Sequence, residues 1–146
     1  MGKAPATREV WTMAIETALR VRLLARHGEL ARVARVLADA GVNLDAVAGL
    51  DTGQMSAVEL LVDQMEAAQQ ALNAAHISAA SVPVAVAWLP NRPGALAAAG
   101  EALAAAGINL RSIFIIRTTG DQDQVAFGCA EAAHADAILA GLRDTW

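Results

Sequence analysis

Only one lysine, Lys3, and one cysteine, Cys129, occur in this chain of 146 residues, and tyrosine is missing altogether. A lone cysteine closes no internal disulfide, so the cytoplasm is the expected compartment. Eleven basic residues stand against fifteen acidic ones, a net charge of −4, with no Lys/Arg cluster. The chain therefore lacks the electrostatic footprint that a nucleic-acid partner requires. No apolar run reaches the roughly 18–20 uncharged residues of a membrane span. The longest, residues 77–90, reads as strands, and the first eight residues have no apolar region of the signal-peptide kind behind them.

Catalytic constellations are also lacking. His27, His76 and His134 are far apart, there is no HxxxH or CxxC, and no acidic cluster has metal-ligand spacing. Asp121 and Asp123 flank a turn and read as a solvated loop. Cys129 sits in an apolar strand context and reads as buried and inert. These absences point away from an enzyme, a metal site or a cofactor.

What is present is hydrophobic residues, at 55%, and much of that excess is alanine, which buries little area per residue and lets helices pack close to a sheet. A duplication is present as well. Shifted by 66 positions, residues 26–44 fall on residues 92–110 with ten of 19 identical. Three of the ten are Ala/Ala. The other seven pair Arg26 with Arg92, Gly28 with Gly94, Leu30 with Leu96, Leu37 with Leu103, Gly41 with Gly107, Asn43 with Asn109 and Leu44 with Leu110.

Each copy carries the same order of signals. Leu19, Val21 and Leu23 alternate in the first copy, and an apolar run covers 82–89 in the second; both read as strands. A glycine turn follows, then a 3.6-period helix with Leu30, Val33, Ala34 and Leu37 on its inner face and Glu29, Arg32, Arg35 and Asp39 outside. Leu96, Ala99, Gly100 and Leu103 repeat the inner face. Gly41 and Gly107 stand where a helix C′ glycine belongs. Strands over 42–50 and 55–62, and over 108–118 and 124–130, are joined by Asp/Thr/Gly turns that signal hairpins. Helices over 64–75 and 132–142 close the copies, and a strand over 77–82 completes the first.

The order βαββαβ is that of the split βαβ, or ferredoxin-like, fold. The expected class is α+β: two such units side by side, 17–82 and 83–146, with antiparallel sheets and helices on one face. The second unit has no room for its own last strand. Residues 9–16 alternate as a strand and either complete that second sheet or lengthen the first strand of the first unit.

Asn91, Arg92, Pro93, Gly94, Ala95 and Leu96, followed by Ala106, Gly107, Ile108, Asn109 and Leu110, resemble the ACT domain, whose pattern is a D/N-x-P-G-x-L turn, a helix and A-G-I-N-I entering the second strand. His27, Gly28, Glu29 and Leu30, with Gly41, Val42 and Asn43, resemble it less closely, since His27 replaces the proline. The resemblance spans residues 17–143. It implies a stand-alone tandem regulatory protein that binds an amino acid or similar metabolite where two domains meet, between the turn and the second-strand asparagine. Free N–H groups at a helix start suit a carboxylate, and an asparagine amide suits an ammonium–carboxylate pair. Arg26 and Arg92 are candidate carboxylate partners. For each residue a plainer role stands beside this one: Pro93 and Gly94 as a tight turn, Asn43 and Asn109 as partners of local backbone groups, His27 as a solvated turn residue.

With helices on one face only, Ile113 and Ile115 are expected to be exposed on the other, and an exposed apolar sheet face marks an interface. A homodimer is the expected assembly. The competing functional reading is a structural or interaction module with a vestigial pocket, to which the altered turn of the first copy lends support.

Overall fold

The structure, a computed structural model, describes residues 14–24 and 26–146. Among the described residues an α+β arrangement of six strands and four α-helices runs in the order β1 (Ala14–Leu23), α1 (Glu29–Asp39), β2 (Leu44–Asp51), β3 (Ser56–Val62), α2 (Met65–Ala74), β4 (Ala79–Pro90), α3 (Ala95–Ala105), β5 (Ser112–Thr119), β6 (Gln122–Gly128) and α4 (Ala132–Leu142). The chain divides into two compact units, Thr17–Val82 and Pro83–Trp146, the latter grouped with residues 14–16. The expected completion of the second sheet by residues 9–16 falls mostly outside the described residues; Ala14, Ile15 and Glu16 open β1.

In the first unit β3 pairs antiparallel with both β1 and β2, so the third strand lies between the first two. In the second, β6 lies in the same way between β4 and β5. Each unit buries one apolar layer between strands and helices. Leu19, Val21, Val58 and Leu60 meet Val33, Leu37, Ala68 and Leu72 in the first. Ala85, Ala87, Leu89, Val125 and Phe127 meet Ala99, Leu103, Ala135 and Leu139 in the second. Within each unit both helices therefore cover the same face of the sheet.

Element boundaries differ from the sequence expectation where a helix end takes up backbone donors. Behind α1 the Gly41 N–H donates to the Ala38 carbonyl at 2.9 Å and the Val42 N–H to the Leu37 carbonyl at 3.0 Å. Behind α3, Gly107 donates to Ala104 at 2.9 Å and Ile108 to Leu103 at 3.0 Å. These are Schellman closures, with glycine at φ 74 in both. Val42 and Ile108 are thus spent on capping, and β2 and β5 start later than the expected 42 and 108. The expected strands at 77–82 and 82–89 are one strand, β4, through Pro83.

The α2 helix ends by the same device without glycine. The His76 N–H donates to the Asn73 carbonyl at 3.0 Å and the Ile77 N–H to Leu72 at 2.9 Å, with His76 at φ 56. A side chain in the left-handed region costs roughly 1–2 kcal/mol, against a smaller entropic cost for glycine. His76→Gly is expected to raise the unfolding free energy by about 0.5–1 kcal/mol, read by urea denaturation; a decrease would show that the imidazole contributes more than its backbone strain costs.

Candidate functional site

Gly28 and Gly94 launch α1 and α3 from the left-handed region, at φ 83 and φ 91, and neither helix has a side-chain cap on its first N–H groups. That start sets the helical phase. The buried positions are Glu29, Val33 and Leu37 in α1 and Ala95, Ala99 and Leu103 in α3, an i, i+4, i+8 stripe beginning at the first helical residue. Leu30 and Leu96, expected in the core, are 48% and 54% exposed, and Glu29, expected outside, is 8% exposed. Val33, Leu37, Ala99 and Leu103 are buried as expected, so the expectation fails only in the first turn, where the glycine launch turns the first helical residue, and not the leucine after it, toward the sheet.

Glu29 tolerates its place because Arg26 Nε donates to its carboxylate at 2.7 Å. The Arg26 hydrogen bond, aided by the charges of Arg26 and Arg32 and by the Leu24 backbone, holds the Glu29 carboxyl below its ordinary range, against the opposing push of burial. Cys129 is buried, and that burial pushes its thiol up.

The outward leucines line clefts. In the first unit Arg26, His27, Gly28, Glu29 and Leu30 face Val47, Gly49 and Leu50 of β2 across a cleft of about 700 Å³. In the second, Asn91, Arg92, Ala95 and Leu96 face Ile113 and Ile115 of β5, with Leu89, Asp123 and Val125 as floor and flank, around about 320 Å³. Both volumes fall within the roughly 300–1,000 Å³ of small-ligand sites. Pro93 and Gly94 shape the second turn without lining its cleft.

The structure separates the remaining candidates from these turns. Val42 and Ile108 are core residues, 6% and 7% exposed, packed under the helix ends. Asn43 and Asn109 follow them, so each lies beyond the C-terminal end of an 11-residue helix whose N-terminal end carries the turn. At 1.5 Å per residue that is about 16 Å away, which corrects the expectation that turn and asparagine adjoin within one unit. The Asn43 side chain donates to Asp45 at 2.8 Å, and its backbone N–H donates to Asp63 at 2.9 Å, both local roles.

Ile113 and Ile115 are exposed as expected, at 43% and 59%, but on the other face. Their cross-strand partners are Phe127 and Val125, both packed under the helices, so the isoleucines share the helix-bearing face at an edge strand that the helices leave uncovered. Counting the hairpin back from Thr119 and Gly120 would have found this, whereas alternation along one strand fixes no face. Val47, opposite Leu60, stands in the same way in the first unit.

Among the described residues no group of three His, Cys, Asp or Glu is placed to hold a metal ion, and no helix is long and apolar enough to cross a membrane.

The fold is one that recurs among solved structures. Protein BT0572 from Bacteroides thetaiotaomicron is similar over 91% of this chain and 90% of its own, at 22% identity and a TM-score of 0.77. The ligand-free regulatory subunit of aspartate kinase from Thermus thermophilus is similar over 92% of this chain and 96% of its own, at 20% identity and a TM-score of 0.67. The regulatory subunit of aspartate kinase from Thermus flavus is similar over 90% of this chain and 95% of its own, at 20% identity and a TM-score of 0.61. Residues 84–137 match the ACT domain family, a segment that contains the whole second cleft. No curated protein matches the chain in sequence.

The Arg26–Glu29 pair gives a pH-dependent prediction. A lowered folded pKa adds stability that is full above the unfolded value, near 4.5, and is lost as pH falls through the folded value. Glu29→Gln is therefore expected to be less stable than the parent at pH 7, and the gap is expected to shrink towards pH 3 in urea titrations. A gap that stays constant would assign the effect to packing.

Proposed function

We propose that the chain is a regulatory small-molecule-binding protein built of tandem ACT-like, ferredoxin-like units, 17–82 and 83–146, and that its ligand is an amino acid. It works by binding, not catalysis, and it passes the signal on by contact with an enzyme partner in the cytoplasm. The observation that carries this reading is the coincidence of the ACT match at 84–137 with the cleft lined by Asn91, Arg92 and Leu96. The chemistry of the cleft supports it: a guanidinium and uncapped helix N–H groups for a carboxylate, and apolar walls for a side chain. The resemblance further implies that a second ACT-like domain closes the site.

A thermal-shift screen of the twenty amino acids tests the reading. A ligand at a hundredfold excess over Kd adds about 2.7 kcal/mol, a rise of roughly 5–10 °C for a chain of this size. The rise is expected to persist in Asn109→Ala, because Asn109 stands away from the second unit's cleft, and to fall by about half or more in Arg92→Gln. No rise with any amino acid would favour the interaction module, a reading that the buried Glu29 carboxylate in the first cleft keeps open.

The apolar edge formed by Leu96, Ile113 and Ile115 supports a homodimer as the working state. Size-exclusion chromatography with light scattering is expected to give twice the chain mass at micromolar concentration; a monomer there refutes the dimer.

A further inference from the structure

The two turns have the same backbone and different contents. The Arg26 N–H donates to the Leu24 carbonyl at 2.8 Å, and the Arg92 N–H to the Pro90 carbonyl at 2.9 Å. Both helices begin three residues later and bury their first side chain. In the first unit that side chain is Glu29, whose carboxylate lies in the cleft on Arg26 Nε at 2.7 Å. In the second it is Ala95, 3% exposed, with nothing beyond its Cβ. Arg92 lines the second cleft and has no carboxylate partner among the described residues. The 66-residue offset that pairs Arg26 with Arg92 also pairs Glu29 with Ala95. One cleft therefore holds an arginine bonded to a carboxylate of its own helix, while in its counterpart no carboxylate pairs with the arginine and Asp123 lies on the flank.

We propose that the second cleft is an open site for the carboxylate of an aliphatic α-amino acid, and that the first is closed by its own Glu29, which occupies the equivalent place on Arg26. The proposal rests on the amino-acid-binding reading above and adds to it the side-chain class and the number of sites. Arg92 takes the carboxylate through its planar fork of donors. Pro90 has no N–H to replace the Leu24 backbone donor that supports Glu29, and the Asn91 amide at the cleft supplies a donor instead. Asp123 on the flank faces the ammonium, and Leu96, Ile113, Ile115 and Val125 take a branched apolar side chain. In the first unit a tethered carboxylate competes with any free one at high effective concentration, so the chain binds one equivalent.

Calorimetric titration of the full chain with L-valine, L-leucine and L-isoleucine tests this, with circular-dichroism melts to confirm that each variant is folded. The expected result is one equivalent per chain for the parent protein and affinity weakened about tenfold or more in R92Q. A95E should bind none, because it supplies the second cleft with a tethered carboxylate. E29A, which frees Arg26, should gain a second equivalent. Should A95E fail to fold, R92Q and E29A still decide the outcome, since Arg92 is exposed and E29A places in the first unit the alanine that the second already carries as Ala95. Two equivalents in the parent, full binding in folded A95E, or no gain in E29A would overturn the single open site while leaving the regulatory reading intact. Binding confined to polar or charged amino acids in the twenty-member screen would overturn the aliphatic class alone. Silence from all twenty would overturn both readings.

Discussion

The left-handed glycine before each first helix is the constraint from which the rest of this molecule follows. With Gly28 and Gly94 at positive φ, the chain turns off the end of its strand and enters a helix whose first residue already faces the sheet. Every fourth residue after it is buried in consequence, and the next residue, Leu30 or Leu96, is turned outward over the edge strand. A β-carbon in that region would cost roughly 1–2 kcal/mol. Glycine also has no side chain to cap the first helical N–H groups. Core, cleft and uncapped donors all follow from one glycine.

The second organising feature is the shortage of helical cover. Two alanine-rich helices cover the central strands of each unit but leave the edge strands β2 and β5 with apolar side chains on the helix side. An edge strand that keeps isoleucines uncovered is normally a liability. Here the uncovered edge forms the wall of a cleft whose opposite wall is the outward leucine of the glycine turn. Alanine packs helices close to the sheet and adds little girth, so the cleft follows from composition as well as topology.

Within this frame the two units have diverged at one position in the helix start. A buried glutamate holds an exposed arginine in an ion pair in one unit; an alanine in its place leaves the other arginine at a cleft of apolar walls flanked by Asp123. The difference is a single side chain, yet it separates a filled position from an open one. Losing Arg26 would leave the poorly exposed Glu29 carboxylate without its counter-charge, the costly way to break such a pair, whereas losing Glu29 would leave a mostly exposed arginine. The first unit thus has a physical reason to keep Arg26 with Glu29 that is independent of any ligand.

The element order, the hairpins, the Schellman glycines and the burial of Leu37, Leu103 and Cys129 were all legible in the amino-acid sequence, because each depends on neighbours within a few residues. The 66-residue repeat was legible too, and it located both turns. Which residue of the first turn of α1 and α3 faces inward was decided by the torsion at Gly28 and Gly94, a choice between neighbours that the periodicity of the later turns does not make. The face of Ile113 and Ile115 was decided by register across the β5–β6 hairpin, since a one-residue slip inverts every side chain. The separation of Asn43 and Asn109 from the turns was decided by helix length, a distance along a rigid rod that a motif written on one line does not display. Local chemistry is set by the sequence alone, while membership of a cleft is set by contacts between residues far apart in the chain.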